Sequence, residues 1–533
     1  MTGVTETFDY VVVGAGSAGC VLANRLTAGG RHSVLLLEAG PRDTNPWIHV
    51  PLGYGKTMFD SRINWKFETQ PEPGLGGRRV KQPRGRVLGG SSSINGLLYV
   101  RGQREDFDGW AALGNPGWSY EEVLPYFRRS EDQARGADPW HGTDGELGVA
   151  DIDAPHPIAE AFIAAAAQRG IPRNADFNGE RQEGVGYFQA TARKGLRCSA
   201  AAAFLRPARG RANLDVRTGA HVLRISFEGR RATGIVYRQG GVDRTALARR
   251  EVLVSAGAIQ SPQLLELSGV GDAGRLQALG IPVVSDLPAV GENLQDHLQS
   301  RLIYRTREKI TVNDDLQSLP RKVAMVWKFA FGRRGPLGWL AGIAGGFART
   351  SADLARPDVQ FHLYPYSSDR VDPTLHPFSA FTLTVCKLRP LSRGRCHVAS
   401  ADPWAPPSIQ PGYLGAVEDL ATMIAAVRLG RSVAGAPALA ALISAEYDPG
   451  PACASDEDVE AFIRTKAFSV YHPVGTCAMA PDGVVDPALR VRGVEALRVI
   501  DASIMPAIVS GNTNAAAIMI GEKGADLVLA DAR

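Results

Sequence analysis

Phe8-Asp9-Tyr10-Val11-Val12-Val13-Gly14-Ala15-Gly16-Ser17-Ala18-Gly19 opens the chain with an apolar, β-branched run and three glycines spaced G-x-G-x-x-G. The run reads as a buried parallel strand. Cys20 to Leu26 is apolar at helical spacing, and Gly29-Gly30 ends that helix. Ser33 to Leu37 is a second buried strand, closed by Glu38. Together they form a βαβ unit of the usual size, about thirty residues. Gly14 permits the tight turn, Gly16 lets a pyrophosphate approach, and Gly19 allows close helix–strand packing. Ser17 and Ala18 lie at the helix N-terminus, which faces the phosphates. Glu38 stands nineteen residues after Gly19. An acid there accepts from ribose hydroxyls and repels a 2′-phosphate. The segment is a dinucleotide site, and by itself it does not separate FAD from NAD.

Gly85-Arg86-Val87-Leu88-Gly89-Gly90-Ser91-Ser92-Ser93-Ile94-Asn95 is the second decisive stretch. So many glycines and serines are costly inside a strand or helix. They let backbone N–H groups approach a flat or anionic ligand closely. The chain therefore wraps its dinucleotide twice, as a permanently held flavin requires. An NAD enzyme would leave this run without a purpose.

At 533 residues the chain suggests two domains. It is 44% hydrophobic and 21% charged, with net charge +4, all ordinary for a globular protein. No run of like charges marks nucleic-acid binding. No secretory signal or transmembrane stretch is read. The six cysteines are scattered without a Cys-x-x-Cys and read as free thiols. These features suggest a cytoplasmic protein, with contact at the inner membrane face left open and oligomeric state unread. Residues 41–150 read as loops and short helices over a ligand. Ile158 to Gly170 and Gln260 to Ser268 read as helices. Asn213 to Arg224, Arg231 to Tyr237, Glu251 to Ser255 and Ala496 to Ile500 read as strands. Val359 to Tyr364 and Phe381 to Leu388 alternate as in an antiparallel sheet with one solvated face. Ala515 to Leu529 is a final helix.

The chain resembles the glucose–methanol–choline (GMC) oxidoreductase family over essentially its whole length. One signature runs from Gly85 through Tyr99 and Gly102 to Asp108. The other is Gly257-Ala258-Ile259-Gln260-Ser261-Pro262-Gln263-Leu264-Leu265-Glu266-Leu267-Ser268-Gly269-Val270-Gly271. Asn64-Trp65 with Glu68-Thr69, Pro288 to His297 and Ile520-Gly521-Glu522-Lys523 resemble the bacterial choline-dehydrogenase and alcohol-dehydrogenase branch. The resemblance implies an α/β fold, α+β overall. A doubly wound, Rossmann-type FAD domain carries an inserted substrate domain on an antiparallel sheet flanked by helices. The FAD domain is expected at 1–155, 199–310 and 470–533, and the substrate domain at 156–198 and 311–469. Beyond the fingerprint, the resemblance assigns to the flavin Ala39, Trp65, Arg84, Leu88, Gly89, Gly90, Asn95, Gly96 and Leu97. Val222 and Ala256 flank the adenine end; Asp501, Ala502, Thr513 and Asn514 close near the final helix. Some relatives tether the flavin through a His where this chain has Ile94, so a noncovalent FAD is expected.

Alcohol oxidation removes a hydride from carbon and a proton from oxygen. The cofactor takes the hydride, and the protein supplies a base and holds the oxygen. His472 matches the family's active-site histidine, and an imidazole titrates near neutrality. Pro473 biases His472 to an extended backbone. The partner position matches Asn512, whose amide would steady the alkoxide. Asn514 is its rival, but fits better as a contact to the flavin pyrimidine edge or as a helix cap. His141, His297 and His362 read as structural or exposed. No metal-ligand spacing appears, so no metal is expected. Cys477 reads as a small buried residue. Tyr471 and Ile343 are taken as substrate-pocket residues, with Ile343 where choline-specific relatives carry Glu. An uncharged alcohol is therefore expected, and choline is expected to be poor. Arg321 to Phe331 places Val323, Val326, Trp327 and Ala330 on one helical face. This reads first as a helix covering the site and second as a membrane-surface helix. The leading function is FAD-dependent oxidation of a primary, aliphatic or aromatic alcohol, with electrons passed to a quinone or other acceptor. An oxygen-using oxidase, a sorbose-type polyol dehydrogenase and a non-redox FAD-containing lyase stay open.

Overall fold

The computed structural model describes residues 6–152, 155–368 and 374–532. Two seven-stranded sheets organise them. The strand Glu6–Val13 lies parallel between Val34–Glu38 and Val242–Val254. Leu214–Thr218 extends the parallel array on one side and Leu497–Val499 on the other. Every residue of Val34–Glu38 is buried, as a strand covered on both faces requires. The helix Ser17–Thr27 covers this sheet and packs against the final helix, Asn514–Asp531. Gly521 permits that crossing: a Cβ there would stand 2.9 Å from Ala18 Cα.

The strand expected over Asn213 to Arg224 is broken. Gly219 adopts φ +63° and divides it into Leu214–Thr218 and Ala220–Glu228. The short strand expected at Glu251 to Ser255 is the end of Val242–Val254. The far half of that strand leaves the parallel array to pair antiparallel with Arg231–Gln239.

The second sheet is antiparallel, in the order Ile443–Asp448, Leu298–Thr306, Ala380–Lys387, Val359–Tyr364, Ala344–Ala348, Gly184–Tyr187. Phe468–Ser469 pairs with the start of Leu298–Thr306. The alternation read in Val359 to Tyr364 and Phe381 to Leu388 does not mean a solvated face. Both strands are buried nearly throughout. Helices Pro157–Ala167 and Val417–Ala434 cover one side, and the other side faces a cavity. The helix Leu319–Gly332 buries Met325 and Phe329, while Val323, Val326, Trp327 and Ala330 are exposed. The apolar face read from the sequence therefore points outward. Among the described residues no helix is long and apolar enough to cross a membrane.

Candidate active site

The cavity runs from Glu38, past the two glycine-rich turns, to the second sheet. At the first turn the glycines divide their work. Gly14 has φ +98°, and a Cβ on it would meet Ser255 O at 2.5 Å. A Cβ on Gly19 would strike Gly14 O at 1.9 Å, so Gly19 serves helix–strand contact and does not line the cavity. A Cβ on Gly16 meets only Ser255 O, at 3.9 Å, which leaves the space beside it open. Gly90 closes on Gly16 from the second turn: its Cβ would lie 2.8 Å from Gly16 Cα. Two loops distant in sequence thus bring bare backbone to one place, as a pyrophosphate demands. Leu88 and Gly89 stand behind this contact and do not line the cavity. The Leu88 amide donates to Pro41 O, and the Gly89 amide donates to Ala15 O at 2.8 Å. Their part is to hold the loop.

Glu38, buried at the end of its strand, accepts from the amides of Ala15 at 3.1 Å and Gly40 at 2.8 Å. Burial pushes its carboxyl up to about 7. Ala39, Val222 and Ala256 line the same end. Trp65 also lines it, stacking on Phe67 with Arg86 over its ring. His221, which sequence reasoning passed over, lines the cavity and stacks on Trp404 at 4.4 Å. Asp501 lines the cavity, but its oxygens are taken by the Gly257 amide, Ser261, and the amide and hydroxyl of Ser503. It clamps the second signature to Ala502. Asn95 accepts from Leu97 N at 3.1 Å and Arg197 Nη1 at 2.7 Å, fixing Gly96 and Leu97 along the wall. Asn514 Oδ1 accepts from Ser17 Oγ at 2.7 Å, tying the final helix to the fingerprint helix beside Ala18 and Thr513. Arg84 is half-buried; desolvation pushes it down to about 10, and it donates to the Tyr471 carbonyl. Ile94 lines the cavity among Ile48, Ile63 and Val87. The bare backbone at Gly16 and Gly90, the buried acid at the strand end and the aromatic rings of Trp65 and His221 at the same end of the cavity fit FAD.

At the other end His472 and Asn512 meet. His472 Nε2 and Asn512 Nδ2 are 3.2 Å apart. Gln360 Nε2 donates to Asn512 Oδ1 at 3.1 Å, so the Asn512 amide must donate to His472 Nε2. That nitrogen therefore carries a lone pair, and the ring proton sits on Nδ1. His472 Nδ1 faces His297 Nδ1 at 3.0 Å, and His297 Nε2 donates to Leu388 O at 2.8 Å. His297 can then accept only at Nδ1. The chain of bonds fixes the tautomer of each ring, Nδ1–H in His472 and Nε2–H in His297. Asp296 adds a brace: its Oδ1 accepts from His472 N at 2.8 Å, while Ser469, Gln82 and Tyr413 occupy Oδ2. Burial holds the His472 imidazolium well below its ordinary range, with His297, His362 and Arg84 acting in the same direction.

The structure brings Tyr471 and Asn512 to the cavity with His472 and leaves Ile343 out. Ile343 is fully buried among Phe361, Leu363 and Val427, on the helix-covered side of the sheet. Its neighbour Ala341 lines the cavity instead, resting on Gly96. The substrate end is formed by Tyr54, Gln299, Arg301, Tyr364 and Phe468, which the sequence did not single out, and by His362, read there as structural or exposed but found buried at the cavity wall. Gln299 and Arg301 are alternate residues of one strand and so share its cavity-facing side. Their legible signal was proximity to Asp296-His297 in the resembling stretch. His141 stands apart, in a buried network with Arg101, Glu131 and Asp176. Its ligand atoms lie near those of Asp138 and Asp176, yet each is already engaged in hydrogen bonds.

The family model described as GMC oxidoreductase matches residues 8–299 and 390–521. An "alcohol dehydrogenase [acceptor]" of Pseudomonas putida is 44% identical over 528 residues, covering 98% of this chain and 96% of that one. The mitochondrial choline dehydrogenase of Homo sapiens is 44% identical over 538 residues, covering 98% and 90%. Pyridoxine 4-oxidase superposes with a TM-score of 0.89 at 31% identity over 97% of this chain and 98% of that chain. A formate oxidase of Aspergillus oryzae reaches 0.93 at 26% identity, covering 100% and 99%. Family match, full-length relatives and the paired His472 and Asn512 agree: the chain belongs to the GMC oxidoreductase family and is an oxidoreductase acting on CH–OH donors.

Proposed function

We propose that the protein oxidises an uncharged primary alcohol, aliphatic or aromatic, to the aldehyde, with His472 as the base and noncovalently held FAD as the oxidant. The observation that carries this is the fixed lone pair on His472 Nε2, beside the Asn512 amide at the cavity wall. When bound, FAD supplies a hydride acceptor, N5. His472 Nε2 takes the hydroxyl proton. Asn512 Nδ2 donates to the alcohol oxygen as negative charge develops there. Burial keeps His472 neutral, and thus competent, through neutral pH. Ile94 supports the noncovalent reading, because a hydrocarbon at that wall position forms no bond to a ring.

The choice of an uncharged alcohol rests on the substrate end. Among the described residues the carboxylates lining the cavity are Glu38 and Asp501, both engaged at the cofactor end. A quaternary ammonium would face Arg301 and neutral Gln299 with no counter-charge, which is costly away from water. Electrons then pass to a quinone or another acceptor.

The test is anaerobic mixing of the flavin-loaded protein with benzyl, aliphatic and sugar alcohols and choline, followed at the flavin absorption band. Bleaching by benzyl or aliphatic alcohols with slow recolouring in air is the expected result. Rapid recolouring would make it an oxidase. Preferential bleaching by sugars or choline would overturn the substrate reading, and a yellow protein that no alcohol bleaches would favour a lyase.

A further inference from the structure

The helix Leu319–Gly332 buries only Met325 and Phe329 of its large residues. Leu319, Val323, Trp327 and Phe331 recur at steps of four, and are 74%, 58%, 64% and 75% exposed. Val326 lies beside them at 55%. Thirteen large hydrophobic side chains are exposed among the described residues, and five of them lie on this one helix. Concentration of that kind marks a contact surface. The rings of Trp327 and Phe331 touch, with centroids 4.5 Å apart, so the stripe is continuous.

Cations border the stripe. Arg321, Lys322, Lys328, Arg333 and Arg334 are exposed, and the sequence holds no Asp or Glu between residues 316 and 352. Asp315 reaches Arg321 only at 3.9 Å. An apolar stripe carrying Trp and Phe, flanked by Lys and Arg, matches a bilayer surface. There hydrocarbon lies beneath anionic headgroups, and long basic side chains reach outward to them. A two-fold partner copy would instead set these cations against themselves.

Both ends of the helix are tied to the wall of the cavity. Just before it, Asn313 Nδ2 donates to Ser367 O at 3.0 Å, next to Tyr366. Just after it, Pro336–Gly338 packs on Pro51–Gly53, which leads into Tyr54. Tyr54 and Tyr366 join hydroxyl to hydroxyl and line the substrate end.

We propose that the outer face of Leu319–Gly332 docks on an anionic phospholipid bilayer and sets the substrate end of the cavity against the membrane surface. An apolar alcohol or a lipid-soluble electron acceptor then reaches the site from the bilayer. The docking is independent of the chemistry at His472, so its failure leaves that reading standing.

The experiment is co-sedimentation of the flavin-loaded full chain with two kinds of vesicle. One is pure phosphatidylcholine, and the other is phosphatidylcholine with phosphatidylglycerol at roughly two to one. Wild-type protein is expected to pellet with the anionic vesicles and to be released by salt. Val323→Glu with Trp327→Glu is expected to lower binding by more than about tenfold, and so is Arg321→Glu with Lys322→Glu and Lys328→Glu. Both variants are checked for flavin absorbance and for bleaching by alcohol, since neither set touches the cavity. The proposal is overturned if wild type ignores anionic vesicles or if both variants pellet undiminished. It is also overturned if analytical ultracentrifugation shows a dimer that Trp327→Glu dissolves, which would make a second copy the occupant.

Discussion

Replacing His297 by Leu tests the proton arrangement that the catalytic reading needs. His297 touches no substrate on this reading; it is a positioning residue, accepting at Nδ1 from His472 Nδ1, 3.0 Å away. Leucine leaves the His472 N–H without an acceptor in a buried setting. An unsatisfied buried donor costs about 1–3 kcal/mol, and the ring can escape it by turning or by moving its proton to Nε2. Either escape removes the lone pair from the substrate side. At about 1.4 kcal/mol per factor of ten, flavin reduction should slow by roughly 10–100-fold. His297→Gln keeps an acceptor oxygen and should recover most of the rate. The assay is anaerobic stopped-flow bleaching of the flavin by the best alcohol from the panel, from pH 5 to 9. Flavin content and melting temperature show that each variant has folded. A wild-type rate in His297→Leu, or a His297→Gln as slow as His297→Leu, would refute the argument.

Asn512→Ala removes the amide facing the developing charge and should lower the maximal bleaching rate by about 10²–10³-fold, with little change in flavin content. Gly90→Ala places a Cβ 2.8 Å from Gly16 Cα on a residue at φ +53°, so the purified protein should be largely colourless and should not regain absorbance with added FAD. His141 predicts a pH-dependent stability. Burial lowers its value, but Asp176 and Glu131 outweigh that and raise it to about 9. A raised histidine contributes stability that is complete below its unfolded value of about 6.5 and is lost as pH climbs through the folded one. Melting temperatures of wild type and His141→Gln should therefore differ most near pH 6 and converge above pH 9. A constant gap across that range would mean that only packing is lost.

What the sequence made legible follows from where interactions are local. The fingerprint turn, its strand and its helix are contiguous, and the roles of Gly14, Gly16 and Gly19 are set by backbone atoms within one unit or one strand away. The pairing of Gly90 with Gly16 was visible only as a second glycine-rich run, because no local pattern states which backbone it will meet. His472 stood out through its neighbours in sequence. Its orienting partner did not, since His297 lies 175 residues away and reads alone as any core histidine.

Ile343 shows the limit most sharply. Strand residues alternate between faces, so a displacement of one position carries a side chain from one side of a sheet to the other. The residues around 340–347 are nearly all small or apolar, and both sides of this sheet are buried. Polarity therefore gives no sign of which face looks into the cavity. On Leu298–Thr306 the residues differ in kind. Gln299 and Arg301 share the cavity side, while Leu298 and Leu302 belong to the helix-covered core. The proposed discrimination against a cationic alcohol, expected from Ile343, rests instead on Arg301 and Gln299 at the substrate end, with Glu38 and Asp501, the lining carboxylates among the described residues, engaged at the far end.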